Sequence, residues 1–153
     1  MSRVNLLFVL IATVAISGCE KYALDRRMEG LCRKDGGVTV YERVVLPANR
    51  FDSDGRIISI HKNPPDFEGV YGSEFRLLWS MTVIKDGNPV LGQGRLIRSE
   101  HKLVRVFDGK ILAISVAYGR SGGDLVPFPH FSSKVCPSSG DGESMESVFI
   151  KGE

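Results

Sequence analysis

Apolar residues near the N-terminus of the folded part recur with the period of a helix. Between residues 24 and 32 they stand at i, i+4, i+7 and i+8: Leu24, Met28, Leu31 and Cys32. This spacing is that of one helix face, and charged residues fill most of the positions between them. The pair Gly36-Gly37 then predicts the helix end. We therefore expect Cys32 to point from this helix into the core.

After this helix the pattern becomes that of β-strands, with β-branched residues and alternating polarity. It predicts strands at 38–46, 56–60, 75–85, 94–107 and 110–119, with a last edge strand at 148–150. Turn sequences at 86–89 (Asp-Gly-Asn-Pro) and 108–109 (Asp-Gly) join the three long strands. Consecutive strands joined by tight turns form an antiparallel meander. The predicted fold class is α+β, with one N-terminal helix packed on an antiparallel sheet.

Two of the predicted strands have a clear apolar face. In 75–85 the alternation places five apolar residues together: Phe75, Leu77, Trp79, Met81 and Val83. In 110–119 it does the same for Leu112, Ile114, Val116 and Tyr118. Alternate residues of a strand share one face of the sheet. We expect the stripe in 75–85 to belong to the core rather than to line a ligand pocket.

Two long loops, 61–73 and 120–137, interrupt the strands. Loops of this length in a compact domain often carry function. The second contains Pro127-Phe128-Pro129-His130-Phe131, where prolines stiffen the backbone beside two aromatic rings. One hypothesis makes this segment a partner surface formed by Phe128, His130 and Phe131. The alternative is that Cys136 holds the loop down and both rings are buried against the sheet.

The first 18 residues have the features of a secretory signal. Arg3 supplies a short positive region, residues 4–16 are mostly apolar, and Ser17-Gly18 are small. The apolar run is shorter than the roughly 20 residues of a membrane-spanning helix. We therefore predict a signal peptide at 1–18, a tether at 19–23 and a single α+β domain at 24–153.

The segment Ile16-Ser17-Gly18-Cys19 resembles the lipobox of bacterial lipoproteins. The resemblance implies cleavage before Cys19 and a lipid on its thiol, which would hold the protein on a membrane. In Gram-negative lipoproteins, Asp after the cysteine is the signal for retention in the inner membrane. Glu20 stands there instead, so the resemblance favours the outer membrane, facing the periplasm.

Export and lipidation change how the cysteines are counted. With Cys19 lipidated, Cys32 and Cys136 remain as an even pair in an oxidising compartment. A Cys32–Cys136 disulfide is the natural hypothesis. Two separate buried thiols are the alternative.

Composition and charge leave room for one globular domain without a nucleic-acid surface. The chain has 153 residues, with 42% apolar and 25% charged residues. Residues 1–18 hold only one of the 20 basic residues and none of the 18 acidic ones, so the mature part is nearly neutral. We therefore predict no nucleic-acid partner.

No catalytic, metal or cofactor signature is convincing. Residues 119–123 (Gly-Arg-Ser-Gly-Gly) are similar to the segment around a serine-protease nucleophile, but no histidine stands in a matching context. Residues 52–55 (Asp-Ser-Asp-Gly) resemble part of an EF-hand loop, yet Arg50 and His61 replace key ligands. An Asx-type turn explains that segment. We predict no catalytic residues, no metal and no cofactor.

Three segments of the mature chain stand out together: 32–42 (Cys-Arg-Lys-Asp-Gly-Gly-Val-Thr-Val-Tyr-Glu), 122–124 (Gly-Gly-Asp) and Cys136-Pro137. In these segments the chain is similar to a family of small proteobacterial lipoproteins without an assigned activity. The leading hypothesis is a non-enzymatic, membrane-tethered envelope module that contacts another protein. An envelope hydrolase using the loops 61–73 and 120–137, and a surface-exclusion or immunity lipoprotein, are the alternatives.

Overall fold

The predicted α+β class is confirmed. The structure, a computed structural model, describes residues 20–59, 69–124, 130–138 and 144–153. Within these ranges it contains one α-helix and an antiparallel sheet of five strands. No helix of the described residues is long and apolar enough to cross a membrane.

The helix α1 is described over residues 20–35. Leu24, Met28 and Cys32 are buried, as the apolar spacing predicts. The helix also takes in residues 20–23, which the sequence assigns to the tether. Ion pairs of its first two described residues, Glu20 with Lys85 and Lys21 with Asp124, hold this turn in place.

Five strands form the main sheet: β1 (Gly37–Val40), β3 (Phe75–Lys85), β4 (Arg95–Arg105), β5 (Ile111–Ser121) and β6 (Ser133–Cys136). The order is β1-β5-β4-β3, and β6 also pairs with β5. The predicted meander is therefore present as β3, β4 and β5. Antiparallel register places Gly37 opposite Val116 in the β1–β5 pair. In the β5–β6 pair it places Tyr118 opposite Cys136.

A second, two-stranded parallel sheet pairs β2 (Val44–Leu46) with β7 (Phe149–Lys151). The prediction of one continuous strand at 38–46 is therefore wrong. The backbone N–H groups of Tyr41 and Glu42 both donate to the carbonyl oxygen of Leu112, at 2.8 and 3.2 Å. Because two consecutive residues face a single residue of β5, the regular ladder of hydrogen bonds between β1 and β5 ends here, and the chain leaves the main sheet.

Two other strand predictions also change. In 56–60, Ile57 forms only an isolated bridge with Phe51, and residue 60 lies outside the described residues. The predicted strand 148–150 is confirmed in position, but it begins one residue later. The short 3-10 helix Met145–Val148 precedes it. Similar 3-10 turns lie at Ala48–Arg50 and Pro89–Leu91.

Contacts divide the chain into two compact units. Of the described residues, the first unit holds those up to Gly36, those in Met81–Arg98 and those in Ala117–Ser138; the second holds those in Gly37–Ser80, Ser99–Val116 and Ser139–Glu153. The core of the second unit centres on three rings. Phe149 lies 5.1 Å from Tyr71 and 5.0 Å from Phe75 between ring centroids. Leu103, Leu112 and Val148 are fully buried in the same unit.

In the first unit α1 packs closely on glycine backbone. A Cβ atom at Gly94 would lie 2.2 Å from Leu24 Cδ1, so only glycine fits without a shift. Gly122 has φ +73°, and a Cβ there would lie 2.4 Å from the Gln93 carbonyl oxygen. Met28 and Leu96 fill the interior of this unit, where both are fully buried.

Candidate functional site

Strand β3 lies at the end of the main sheet. The order β1-β5-β4-β3 gives it β4 as its strand neighbour, and no described strand pairs with its outer edge. An edge strand presents backbone N–H and C=O groups that no neighbouring strand satisfies. Among the described strands, the outer edge of β3 is therefore an open hydrogen-bonding edge, as are the outer edges of the two short strands β1 and β6, and it is the longest of the three.

The middle of β3 is also exposed through its side chains. Four apolar residues stand out, with exposed fractions of 59% for Trp79, 46% for Met81, 42% for Val83 and 41% for Leu78. We call these four residues the β3 strip. Trp79, Met81 and Val83 share one face of the strand, whereas Leu78 lies on the other. An apolar strip of this kind, rather than a single exposed residue, is typical of an interaction surface.

The prediction that the stripe in 75–85 is core is therefore wrong for Trp79, Met81 and Val83. Phe75 is buried, with 4% exposed, because it packs on Phe149. Leu77 is half-buried. The alternation along the strand is correct, but nothing among the described residues covers the face beyond Leu77.

Proteins usually protect an exposed edge with charges, proline or a bulge. The stretch 77–84 (Leu-Leu-Trp-Ser-Met-Thr-Val-Ile) contains no charged residue and no proline. Arg76 and Lys85 stand only at its two ends. The edge therefore lacks the usual chemical protection over eight consecutive residues, and it can accept a further strand.

The sequence-predicted partner surface lies on a different part of the chain. His130 is exposed, and Phe131 is 42% exposed, so the alternative with both rings buried does not hold for Phe131. Phe128 lies outside the described residues. The role of this segment in binding a partner stays a prediction.

A buried arginine holds the two described ends of this loop. Arg120 is 3% exposed, and its Nε donates to Asp25 Oδ1 of α1 at 2.8 Å. Its Nη1 donates to Ser132 Oγ at 2.6 Å and to the carbonyl oxygens of Ser132 and Gly122, both at 3.0 Å. A buried charge needs such partners because desolvation is costly. The arginine thus joins α1, the end of β5 and the chain before β6.

Asp124 adds a second set of bonds at the same place. Its carboxylate accepts from Ser132 N at 2.6 Å, from Ser132 Oγ at 2.7 Å and from Lys21 Nζ at 3.1 Å. Burial raises the pKa of Asp124, but the hydrogen bonds from Ser132 and Lys21 outweigh it and lower this pKa to about 2. The carboxylate is therefore charged at neutral pH and fixes Ser132 close to α1.

The disulfide hypothesis agrees with the structure. Cys32 of α1 and Cys136 of β6 are bonded, with their Cα atoms 6.0 Å apart and a sequence separation of 104. The bond ties the C-terminal part of the helix to the strand β6. Cys19, the predicted lipidation site, lies outside the described residues.

The catalytic and metal candidates do not come together in the described part of the chain. Ser121 pairs with Ser133 in the β5–β6 ladder, and no described hydrogen bond joins it to His101 or His130. Burial lowers the pKa of His101. The described residues contain no cluster of three or more metal-ligating side chains. The loop 61–73 lies largely outside them.

The turn at 52–55 is of the Asx type, as predicted. Asp52 Oδ1 accepts from the backbone N–H groups of Asp54, at 2.9 Å, and Arg56, at 2.8 Å. A small open cavity of about 240 Å³ lies beside it, lined by apolar and polar residues that include Phe51, Arg56 and Glu146. Nothing in its lining points to a specific ligand.

Comparisons with known proteins add no relative. No protein-family model, curated protein or solved structure matches this chain. The resemblance of the mature chain to small proteobacterial lipoproteins stays a prediction.

Two features of these sites were missed from the sequence. The alternation that ends at Tyr118 continues to Arg120, so a strand extended by two residues indicates a buried cation. The exposure of the β3 strip has no such signal in its own residues. It depends on the strand order, which places β3 at the end of the sheet.

Proposed function

We propose that this protein is a lipid-anchored envelope lipoprotein that binds another envelope protein through the outer edge of β3. The lipobox-like segment ending at Cys19 supports the anchor. The observation that carries the binding role is the open, uncharged edge of β3 with its exposed apolar strip.

The partner that fits this edge is an extended segment of another protein. Its backbone would pair with the free N–H and C=O groups of β3. Apolar side chains at alternate positions of the segment would pack on Trp79, Met81 and Val83, which share a face. No chemistry on a substrate is needed for this role, and the protein acts as a binding or accessory module.

The anchor has a direct test. Labelled palmitate should be incorporated into the wild-type protein but not into the Cys19→Ala variant. Equal labelling of the two would overturn the lipidated cysteine. The position of Glu20 after Cys19 favours the outer membrane, so fractionated native cells should contain the protein with outer-membrane markers.

The binding edge is tested by crosslinking in cells that naturally express the protein. A photoactivatable amino acid at Trp79 should give one discrete product that contains a second envelope protein. Met81→Lys should abolish this product, because a charge on an edge strand opposes strand addition. Ile150→Lys, at a similarly exposed position of β7, is the matched control and should leave the product intact.

Three outcomes would count against the proposal. The first is the absence of a discrete product at Trp79, and the second is a product that survives Met81→Lys. A product with the mass of two copies of this chain would assign the edge to self-association instead.

A further inference from the structure

The helix α1 separates its charges between two sides. Its acidic residues all bond to the body of the protein: Glu20 to Lys85 at 2.7 Å, Asp25 to Arg120 at 2.8 Å, Glu29 to Lys134 at 2.5 Å, and Asp35 to Tyr118 at 2.6 Å. Each of these contacts lies within the first unit. Asp35 also forms an ion pair with Arg98 of this unit at 3.4 Å, so each of the four acidic residues has a cationic partner on the side that packs.

The opposite side of α1 is basic. Arg26, Arg27, Arg33 and Lys34 are all exposed, and none of the described residues forms an ion pair with them. Arg26 and Arg33 lie seven residues apart along one line of the helix, and Arg27 and Lys34 lie along a second line about 100° further round, so the four cover roughly a third of its circumference. Tyr22, 68% exposed, lies on the same face toward the N-terminal end. We call these five residues the basic face of α1.

The basic face begins close to the predicted lipidation site, Cys19. Cys19 is bonded directly to Glu20, the first described residue of the helix, so no linker separates the lipidation site from α1. From Tyr22 to Lys34 the face spans about 18 Å along the helix. Only a helix that lies along the membrane brings all four cations within a Debye length, about 8 Å, of the headgroups.

We propose that the basic face of α1 rests on the anionic phospholipid surface of the membrane that holds Cys19. The inference rests on the proposed lipid anchor and adds the orientation that the protein takes on it. The occupant is a bilayer with negatively charged headgroups, because four cations that pair with none of the described residues complement a surface of distributed negative charge. The implied lipid on Cys19 supplies the anchor, and a basic face beside it adds electrostatic attraction to anionic headgroups, which sets the orientation. Tyr22 suits the interfacial region, where amphipathic rings collect.

The test uses the mature protein without its lipid, so that only the face can bind. Residues 1–18 are replaced by a cleavable secretory signal and Cys19 by alanine, which leaves the disulfide intact. Cosedimentation is measured with vesicles of phosphatidylethanolamine, with and without phosphatidylglycerol, at low and high salt. We expect binding only to the vesicles with phosphatidylglycerol, and loss of that binding at high salt.

Matched charge removal locates the binding surface. Each cation near an anionic surface strengthens binding about fivefold. Arg26→Gln with Arg33→Gln should therefore weaken vesicle binding by roughly 25-fold. Arg56→Gln with Lys151→Gln removes the same charge from two exposed cations of the second unit and should change vesicle binding little.

Several results would overturn this inference. They are no binding to any vesicle at low salt, equal binding to neutral and anionic vesicles, and equal weakening by the two double variants. Tighter binding to duplex DNA than to anionic vesicles would assign the face to nucleic acid. None of these results changes the palmitate test of Cys19, so a failure of the basic face and a failure of the anchor can be told apart.

Discussion

Replacing Asp25 by alanine should destabilise the protein far more than its place on a surface helix suggests. The Arg120 side chain is 2% exposed, and Asp25 is its acidic partner at 2.8 Å. The variant leaves a buried guanidinium with only neutral acceptors, on Ser132 and Gly122. Removing one partner of a buried ion pair costs about 3–5 kcal/mol, because the remaining charge stays desolvated. Since domains are stable by only about 5–15 kcal/mol, this is a large share of the total.

The same helix supplies a matched control one turn further on. Glu29 forms an ion pair with Lys134, but both side chains are more than 40% exposed. Glu29→Ala should change the free energy of unfolding very little, because exposed ion pairs contribute little. Urea unfolding followed by circular dichroism measures both variants. Asp25→Leu combined with Arg120→Met, which removes both charges, should recover part of the loss. Similar midpoints for Asp25→Ala and Glu29→Ala would refute the reasoning, because burial would then make no difference.

Three further predictions concern β3, the disulfide and Asp124. Trp79→Ala should leave the urea midpoint nearly unchanged because Trp79 is exposed, whereas Phe75→Ala should cost about 3–5 kcal/mol; equal losses would place Trp79 in the core. Serine at both Cys32 and Cys136 opens a loop of 104 residues and should cost about 4–5 kcal/mol from loop-closure entropy; a thermal midpoint unchanged by the substitutions would contradict this. The pKa of Asp124 falls from 3.8 to about 2 on folding, so its stabilisation is present above about pH 4 and is lost as the pH falls toward about 2. Urea unfolding should therefore show a smaller difference between wild type and Asp124→Asn at about pH 3 than at about pH 7, and a constant difference would refute the assignment.

The elements set by local periodicity could be predicted from the sequence. The buried face of α1 follows the spacing of Leu24, Met28 and Cys32. The face of β5 follows the alternation from Leu112 to Tyr118, both of which are buried. In α1 the period of the apolar residues is also the period of burial, because the helix packs one face only. In β5 the alternation identifies the buried face from Leu112 to Tyr118, but Ala113 on the other face is buried as well.

The features that depend on strand order could not be predicted in this way. β3 has the same alternation as β5, yet Trp79 is exposed because β3 lies at the end of the sheet and β5 lies inside it. The four residues of β6 pair with the end of β5, inside a segment that the sequence presents as a loop. Pairing of this kind depends on distant residues, here on the disulfide of Cys136 and the bonds of Ser132. Alternation identifies a strand and its faces, but the neighbours of the strand decide which face is covered.

The contacts of α1 connect the two proposals for this protein. A lipid on Cys19 would be joined to the helix without a linker, and the helix is held to the strands of its unit along its described length. The ion pair of Glu20 and Lys85 holds its first turn, Asp25 and Arg120 hold the second, and the disulfide of Cys32 holds the end. Under the proposed anchoring, these contacts, rather than a flexible tether, fix how the sheet is turned toward the membrane. Asp25→Ala leaves the disulfide in place but weakens the hold on the second turn, so under this proposal it should disturb the orientation on vesicles of the fraction of the protein that stays folded.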